Sequence, residues 1–314
     1  MNRREDSTSM QAPDRAAGEG ATGGTGPDDS WTVGRLLTWT TDYLKRRGSE
    51  SPHLDAEVML AHVLDWQRIQ LYTRFLEEVP EAPRGKFRDL VRRRAEGSPV
   101  AYLVGRKEFY LLTFEVSPAV LIPRPETEFV VADFLERTKA LESVRAVDVG
   151  TGSGCLAITC ASNHPGARFV AIDISEEALK VARRNAEQHG VADRVKFRQG
   201  DRLGPVLGEE PFDVIVANPP YIPTADVQTL EPGVRDYEPH LALDGGPDGL
   251  AIVRGIVEQA EGLLKPGGQI ILEIGTAQEG PVRELIAAHA AFELAPTIYD
   301  HAGHPRVIRA TRSA

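Results

Sequence analysis

A short apolar run ends in a polar and aromatic cluster that can grip a planar amino group. Residues 213–217 read Asp-Val-Ile-Val-Ala, which is typical of a buried strand in a parallel sheet, and Asn218-Pro219-Pro220-Tyr221 follows at once. Proline cannot donate to a sheet ladder, so we expect the chain to leave the sheet at Asn218. The cluster then lies at the carboxyl end of a strand, where open α/β sheets bind their ligands.

This cluster predicts chemistry at the nitrogen of an amide or an exocyclic amine. The Asn218 side-chain oxygen and the Pro219 carbonyl can accept the two NH2 protons, and the Tyr221 ring can pack against the flat face. Two acceptors orient the delocalised lone pair and favour the pyramidal nitrogen of the transition state. We therefore take residues 218–221 as catalytic and substrate-binding. The plainer alternative is a strand-terminating turn with Asn218 as a cap.

A glycine-rich loop, Asp148-Val149-Gly150-Thr151-Gly152-Ser153-Gly154, follows another predicted strand and opens a helix. Glycines there let the backbone approach a ligand closely, with helix N–H groups pointing at it. Asp173 ends the next predicted strand, where a carboxylate can accept both hydroxyls of an adenosine ribose. Asp201, after the third strand, is placed to help hold an adenine edge. The alternative for Asp173 is a cap for the helix that starts near Ser175.

The two clusters together predict S-adenosylmethionine as the cofactor. A dinucleotide fingerprint would need Gly or Ala where Cys155 stands, which disfavours nicotinamide and flavin cofactors. The sulfonium of S-adenosylmethionine carries an activated methyl group, so the protein need only align the reacting atoms and exclude water. No metal ion and no covalent nucleophile is expected. Asn218 is expected to orient the substrate, because an amide is not a general base at neutral pH.

The elements that must position these residues alternate between strand and helix after residue 144. This order predicts a doubly wound, mostly parallel α/β sheet of seven strands with an antiparallel edge. The predicted strands are 145–149, 168–172, 195–199, 212–217, 269–274, 292–299 and 305–311. The predicted helices are 155–162, 176–189, 250–264 and 278–289, and residues 265–268 are predicted as a turn.

The amino-terminal part predicts three further units. Residues 1–30 have almost no bulky apolar side chains and are expected to be a disordered tail. Helical periodicity then predicts a small domain over 31–104, with further segments near 69–76 and 84–95. Its basic helix, which contains Lys86, Arg88 and residues 92–94, is interpreted as a solvated face rather than a docking surface for an acidic partner. A β-hairpin linker is expected over 105–122, and the catalytic domain over 123–314.

Composition limits the class of protein. The 314 residues carry a formal net charge of −10, which disfavours broad binding to a nucleic-acid backbone. There is no apolar segment of bilayer length and no signal-peptide core, so we expect neither membrane insertion nor secretion. Cys155 and Cys160 can form neither a disulfide framework nor a metal site. We expect a cytoplasmic monomer.

Several longer segments carry a family resemblance. The chain resembles the peptide chain release factor glutamine N5-methyltransferases, the HemK/PrmC family. Asn-Pro-Pro-Tyr alone is shared with adenine-N6 and other amino-group methyltransferases, and the segments at 121–128 and 237–250 narrow the match. The segments that carry it are Asn218-Pro219-Pro220-Tyr221-Ile222, 148–154, Leu121-Ile122-Pro123-Arg124-Pro125-Glu126-Thr127-Glu128, 237–250, Leu54-Asp55-Ala56-Glu57 and 97–105.

The resemblance implies a substrate, a cofactor and site residues. The implied reaction is methyl transfer from S-adenosylmethionine to the side-chain nitrogen (N5) of the glutamine in the Gly-Gly-Gln motif of class 1 release factors. Arg124, held between two prolines, joins residues 218–221 in the substrate site. Arg202 stands where family members often carry an aromatic residue against adenine. The cofactor site comprises Asp148, Gly150, Thr151, Gly152, Ser153, Gly154, Asp173, Asp201, Arg202 and Asn218.

Two other functions remain open at this point. An adenine-N6 nucleic-acid methyltransferase would grip the same NH2 geometry, although the acidic charge and the absence of a basic, aromatic-rich segment disfavour it. A non-catalytic adenosine-binding scaffold would need the glycine loop but not Asn218.

Overall fold

The computed structural model describes residues 30–313. The predicted tail therefore lies outside the described residues, apart from residue 30. Five helices form the amino-terminal part: α1 (Val33–Arg46), α2 (Pro52–Leu64), α3 (Arg68–Thr73), α4 (Glu81–Ala95) and α5 (Val100–Val104). Within residues 30–313, no helix combines the length and apolar character needed to cross a bilayer.

The helical part has its own core, and acidic side chains tie its helices together. Leu37 of α1 and Met59 of α2 are fully buried in this core. Asp55 of α2 accepts from the Arg94 Nε of α4 at 2.7 Å, which links the two helices. The predicted helix 69–76 ends early, at Thr73, and the chain turns there. The remaining arginines of α4 pair mostly with acids of the same helix, which favours the predicted solvated face.

The predicted hairpin joins the helical part to the rest of the chain. β1 (Arg106–Phe109) and β2 (Leu112–Glu115) pair antiparallel around a two-residue turn. Phe109 and Phe114 are buried and pack into the core of the following domain. Residues 100–104 form the short helix α5, directly before β1.

The large sheet has the predicted doubly wound form. Its strands are β3 (Val144–Val149), β4 (Ala167–Asp173), β5 (Val195–Gln199), β6 (Phe212–Ala217), β7 (Leu264–Glu273), β8 (Phe292–Leu294), β9 (Ile298–Tyr299) and β10 (Pro305–Arg312). They lie in the order β5-β4-β3-β6-β7-β10-β8, with β9 beside β10. β3 to β7 are parallel, and β10 pairs antiparallel with its neighbours.

Two details differ from the predicted strands. The predicted strand 292–299 is split into β8 and β9, because Pro296 in the gap has no N–H to donate, so the sheet has eight strands. The predicted turn 265–268 lies inside β7 as an irregularity: Leu264 pairs with Phe212, and Gln269 with Val214.

Helices cover both faces of the sheet. They are α6 (Glu128–Thr138), α7 (Cys155–Asn163), α8 (Glu176–Gln188), α10 (Ala251–Ala260) and α11 (Glu279–Ala287). The short helix α9 (Pro232–Arg235) lies in the long connection between β6 and α10. Two large apolar clusters fill the spaces between helices and sheet. Strand order reverses at β3, which lies between β4 and β6. A crevice at the carboxyl ends of these strands is the expected ligand position.

Candidate active site

Two adjoining cavities lie at the carboxyl edge of β3, β4 and β6. The larger, of about 220 Å³, is lined among others by Gly150, Gly152, Asp173, Asp201, Arg202 and Pro220. The smaller, of about 80 Å³, is lined among others by Leu121, Arg124, Tyr221, Ile222, Val234 and Leu243. Asn218 and Pro219 line both cavities. The larger cavity thus has nearly three times the volume of the smaller one.

Asn218 follows the end of β6 and is held from across the site. Its Nδ2 donates to Thr127 Oγ1 at 3.0 Å, and Thr127 is 91 residues away in sequence. This bond directs Oδ1, the other end of the amide, away from Thr127 as an available acceptor. The alternative in which Asn218 merely caps a local turn does not account for this long-range bond.

The segment after Asn218 is braced by residues 243–249. Ile222 N donates to Leu243 O at 3.1 Å, and Gly245 N donates to Ile222 O at 2.8 Å. Gly249 has a φ of 72°, and a Cβ there would lie 2.4 Å from Tyr221 O, so only glycine allows this approach. The brace holds the backbone directly after the two prolines.

Arg124 lines the smaller cavity and forms an ion pair with Glu238. The sequence did not predict this ion pair. Arg124 Nη2 lies 2.5 Å from Glu238 Oε1, and the Glu238 side chain is almost fully buried. Glu238 Oε2 also accepts from Ile122 N at 3.2 Å. Glu238 therefore sets the position of the Arg124 guanidinium at the wall of the cavity.

The glycine loop and Asp173 meet as predicted. Gly152 N donates to Asp173 Oδ2 at 2.8 Å, and Ser175 N donates to Oδ1 at 2.9 Å. The helix cap is Ser175, whose Oγ accepts from Ala178 N at 3.2 Å, so the alternative of Asp173 as that cap is wrong. Burial raises the pKa of Asp173, and the backbone N–H groups oppose that rise.

Four residues predicted to bind the cofactor lie outside the lining of the larger cavity: Asp148, Thr151, Ser153 and Gly154. Asp148 is fully buried beneath the loop, where its Oδ2 accepts from Thr151 Oγ1 at 2.6 Å and from Ala157 N at 3.2 Å. Burial raises the pKa of Asp148 to about 7. These contacts shape the loop from below, because the side chains face the core rather than the cleft.

Arg202 does not lie free over the cleft. Its Nε and Nη2 donate to Asp201 Oδ2 at 2.9 and 2.5 Å, and its side chain crosses the backbone of α10 at Gly255. A Cβ at Gly255 would lie 2.1 Å from Arg202 Nη1. The missing side chain at Gly255 therefore makes room for the guanidinium, which leaves Asp201 Oδ1 as the further acceptor.

Thr127, Glu238 and Glu273 are functional candidates that sequence reasoning missed. Thr127 and Glu238 belong to segments already singled out for the family resemblance, but nothing local indicated their contacts. Glu273 ends β7, and an acid at the carboxyl end of a predicted strand was its only signal. Among residues 30–313, no group of three or more His, Cys, Asp and Glu side chains could hold a metal ion.

Comparison with known proteins decides the family. Residues 35–105 match the family described as PrmC N-terminal domain, and residues 141–296 match a methyltransferase domain family. A release factor glutamine methyltransferase of Rhodopirellula baltica is 42% identical over 90% of this chain and 97% of its own length. A second, of Moorella thermoacetica, is 47% identical over 90% of this chain and 99% of its own. The chain belongs to the release factor glutamine methyltransferase family.

Membership in this family confirms the predicted enzyme class, a methyltransferase, and its two-part organisation. A solved structure supports the fold alone: the hMettl16 catalytic domain in complex with MAT2A 3′UTR hairpin 6 matches with a TM-score of 0.53 and 16% identity. That match covers 72% of this chain and 82% of the other. The doubly wound sheet is thus the methyltransferase fold, and the two cavities lie at its expected ligand edge.

Proposed function

We propose that this methyltransferase transfers a methyl group from S-adenosylmethionine to the side-chain nitrogen (N5) of the glutamine in the Gly-Gly-Gln motif of class 1 release factors. The observation that carries the proposal is the Asn218 amide, which Thr127 holds at the junction of two cavities. One cavity has the size and glycine-lined floor for a nucleoside, and the other has the size for a glutamine side chain.

The residues of the larger cavity fit S-adenosylmethionine. A Cβ built at Gly150 or Gly152 would meet no atom within 4 Å, so the loop leaves open space for a ligand against its backbone. Asp173 Oδ1 and Oδ2 each accept one backbone N–H and have a second lone pair for a ribose hydroxyl. When bound, this cofactor supplies a methyl group on a sulfonium, which needs no further activation.

The residues around Asn218 prepare the substrate nitrogen. Asn218 Oδ1 and the Pro219 carbonyl accept its two hydrogens, and Tyr221 packs against the amide plane. Transfer forms a C–N bond and breaks the S–C bond, whose electron pair stays on sulfur as a neutral thioether, and the nitrogen loses one proton to water. Asn218 does not bind that proton, because a carboxamide is not basic at neutral pH. Its contribution is orientation and stabilisation of the pyramidal nitrogen.

We infer that the helical domain docks the release factor. Large apolar side chains are exposed on α2, α3 and the turn after α3, and Leu76 is 86% exposed. Exposed apolar clusters of this kind mark protein-binding surfaces. This surface consists of Leu54, Ile69, Tyr72, Phe75 and Leu76. Cys155 and Cys160 are free thiols, which suits the reducing cytoplasm in which we expect the reaction.

Mass mapping of a Gly-Gly-Gln release factor after incubation with the full chain and S-adenosylmethionine tests the proposal. We expect one added methyl group on that glutamine, and none on a release factor whose motif glutamine is replaced by alanine. DNA and RNA are offered in parallel reactions. Methylation of adenine without methylation of glutamine would overturn the proposal, and so would the absence of any transfer.

A further inference from the structure

The Thr127 hydroxyl lies between Asn218 and a second buried polar group. Thr127 ends the short helical turn Pro125–Thr127 and is 1% exposed. Its Oγ1 accepts from Asn218 Nδ2 at 3.0 Å. A hydroxyl that accepts this bond still has one proton to donate. The direction in which that proton points therefore depends on what lies on the other side of Thr127.

Glu273, the last residue of β7, is a buried group on which Thr127 acts. It is 2% exposed, and its Oε2 has no hydrogen-bond partner among residues 30–313. Burial raises the pKa of Glu273 to about 7, and a hydrogen bond from Thr127 opposes that rise. Glu126, Arg306 and Arg124 are the charged groups that act on it, and Glu273 in turn acts on Tyr221. Glu273 is therefore close enough to Tyr221 for its charge to affect the proposed substrate pocket.

Asn218 donates to Thr127, and the Thr127 side chain acts on Glu273 as a hydrogen-bond partner that lowers its pKa, so the state of Glu273 restricts the directions of these bonds. An ionised carboxylate can only accept, so the Thr127 hydroxyl must donate to Glu273. Thr127 Oγ1 then accepts, and Asn218 must turn its NH2 toward Thr127 and its Oδ1 away from it. A protonated Glu273 can donate to Thr127 instead. Thr127 can then donate to Asn218 Oδ1, which would turn the Asn218 NH2 toward the substrate NH2.

We propose that Thr127 and Glu273 are positioning residues that present the oxygen, rather than the nitrogen, of the Asn218 amide to the substrate. The proposal rests on the proposed function, since it explains how Asn218 accepts from an amide NH2. Thr127 and Glu273 do not contact the reacting atoms. They act through Asn218, and the ionised carboxylate is the competent form.

Three variants test the relay in the full-length enzyme. Thr127→Val keeps the shape and removes the hydroxyl, Thr127→Ser keeps the hydroxyl, and Glu273→Gln removes the group that can only accept. Thr159→Val is the matched control, because Thr159 is fully buried in α7 and its Oγ1 has no partner among the described residues. Steady-state methylation of a Gly-Gly-Gln release factor gives kcat and KM, and calorimetry gives the dissociation constant of S-adenosylmethionine.

We expect Thr127→Val to lower kcat by about 10- to 100-fold, by analogy with loss of the outer hydrogen-bond partners that orient metal ligands. Cofactor affinity should stay near the wild-type value, and the melting temperature should fall, because Asn218 and Glu273 lose a buried hydrogen-bond partner. Thr127→Ser should restore most of kcat, and Thr159→Val should leave it unchanged. Wild-type kcat in Thr127→Val, or an equal loss in Thr159→Val, would overturn the proposal.

The pH profile separates positioning from a structural role. Wild-type kcat should fall as the pH drops through the pKa of Glu273, about 7, because the competent carboxylate is then protonated. Glu273→Gln should have a lower, pH-independent kcat over the same range. Its melting temperature should equal that of the wild type in acid and exceed it in mild alkali, because the variant avoids burying a charge. An unchanged inflexion in Glu273→Gln would overturn the proposal.

The experiments distinguish failure of the proposed function from failure of the relay. A wild-type enzyme that binds S-adenosylmethionine but methylates no glutamine would refute the assigned substrate. Wild-type methylation of glutamine together with insensitivity to Thr127→Val and Glu273→Gln would refute only the relay.

Discussion

Arg124 and Glu238 are 114 residues apart in sequence, and their side chains meet at 2.5 Å beside the smaller cavity. The pair connects the segment before α6 with the connection between β6 and α10. Glu238 also accepts from the backbone of Ile122, so one buried carboxylate holds both the charge and the backbone of the Pro-Arg-Pro segment. Two motifs that are far apart along the chain thus meet beside the smaller cavity.

This ion pair should contribute to stability as a coupled unit. Arg124→Gln leaves a buried carboxylate partly unpaired, which should lower the free energy of unfolding by about 1–3 kcal/mol. Glu238→Gln in the Arg124→Gln background should recover part of that loss. A double-mutant cycle by urea unfolding measures the coupling. The exposed pair of Lys139 and Glu136 is the control and should show no resolvable coupling. Additive effects of Arg124→Gln and Glu238→Gln would contradict the prediction.

Replacement of Asn218 should affect chemistry more than cofactor binding. Asn218→Ala removes one orienting acceptor and should lower kcat on the order of 100-fold, comparable to loss of one group of an oxyanion hole. The dissociation constant of S-adenosylmethionine should change little. Asn163→Ala is the control, because Asn163 is exposed and, within residues 30–313, its side chain bonds only to Thr159 O of its own helix. Full activity in Asn218→Ala would remove Asn218 from the mechanism.

Gly255 should control cofactor affinity through Arg202. Gly255→Ala places a methyl group where the Arg202 guanidinium lies, and the flexible side chain must move away from Asp201. Loss of that arrangement should raise the dissociation constant of S-adenosylmethionine by roughly 2- to 10-fold, equivalent to about 0.5–1.5 kcal/mol. Stability should not fall, because alanine favours a helix more than glycine does. Gly262→Ala, with no atom near its Cβ position, should bind normally. Equal affinities for both variants would contradict the prediction.

The exposed apolar surface of the helical domain should affect large substrates only. Leu76→Asp should raise KM for an intact release factor about 10-fold or more, since burying a leucine contributes about 1.5–3 kcal/mol. The rate with a short Gly-Gly-Gln peptide should not change. Leu141→Asp is the control, at a leucine that is 45% exposed before β3. If intact factor and peptide respond alike to Leu76→Asp, docking does not use this surface.

Asp148 should make the protein less stable as the pH rises. Burial raises its pKa to about 7, above the ordinary value of 3.8, so the folded chain binds this proton more tightly than the unfolded chain. The free energy of unfolding should therefore fall between about pH 4 and pH 7. Urea unfolding of Asp148→Asn across this range should show a smaller decline than the wild type. An equal decline in both proteins would show that other groups cause it.

Local sequence patterns were sufficient for the fold class and for most elements. Apolar runs, helical periodicity, and glycine or proline at the ends of elements all depend on neighbouring residues. These patterns predicted β3 to β6 closely. The break between β8 and β9 was missed, although Pro296 was visible. The position of Asn218 at a strand end and the meeting of the glycine loop with Asp173 were also predictable. Both follow from where parallel strands end.

Long-range contacts required the folded chain. Nothing near Thr127 in the sequence indicates Asn218 or Glu273, and nothing near Arg124 indicates Glu238. The direction of the Asp148 side chain also required the folded chain. Its place in the glycine loop predicted a ligand contact, but the side chain faces the core. Local patterns report the conformation of the backbone and the side on which a residue lies. Which polar groups share a hydrogen bond across the site depends on how separate elements pack, and that packing sets the direction of the Asn218 amide.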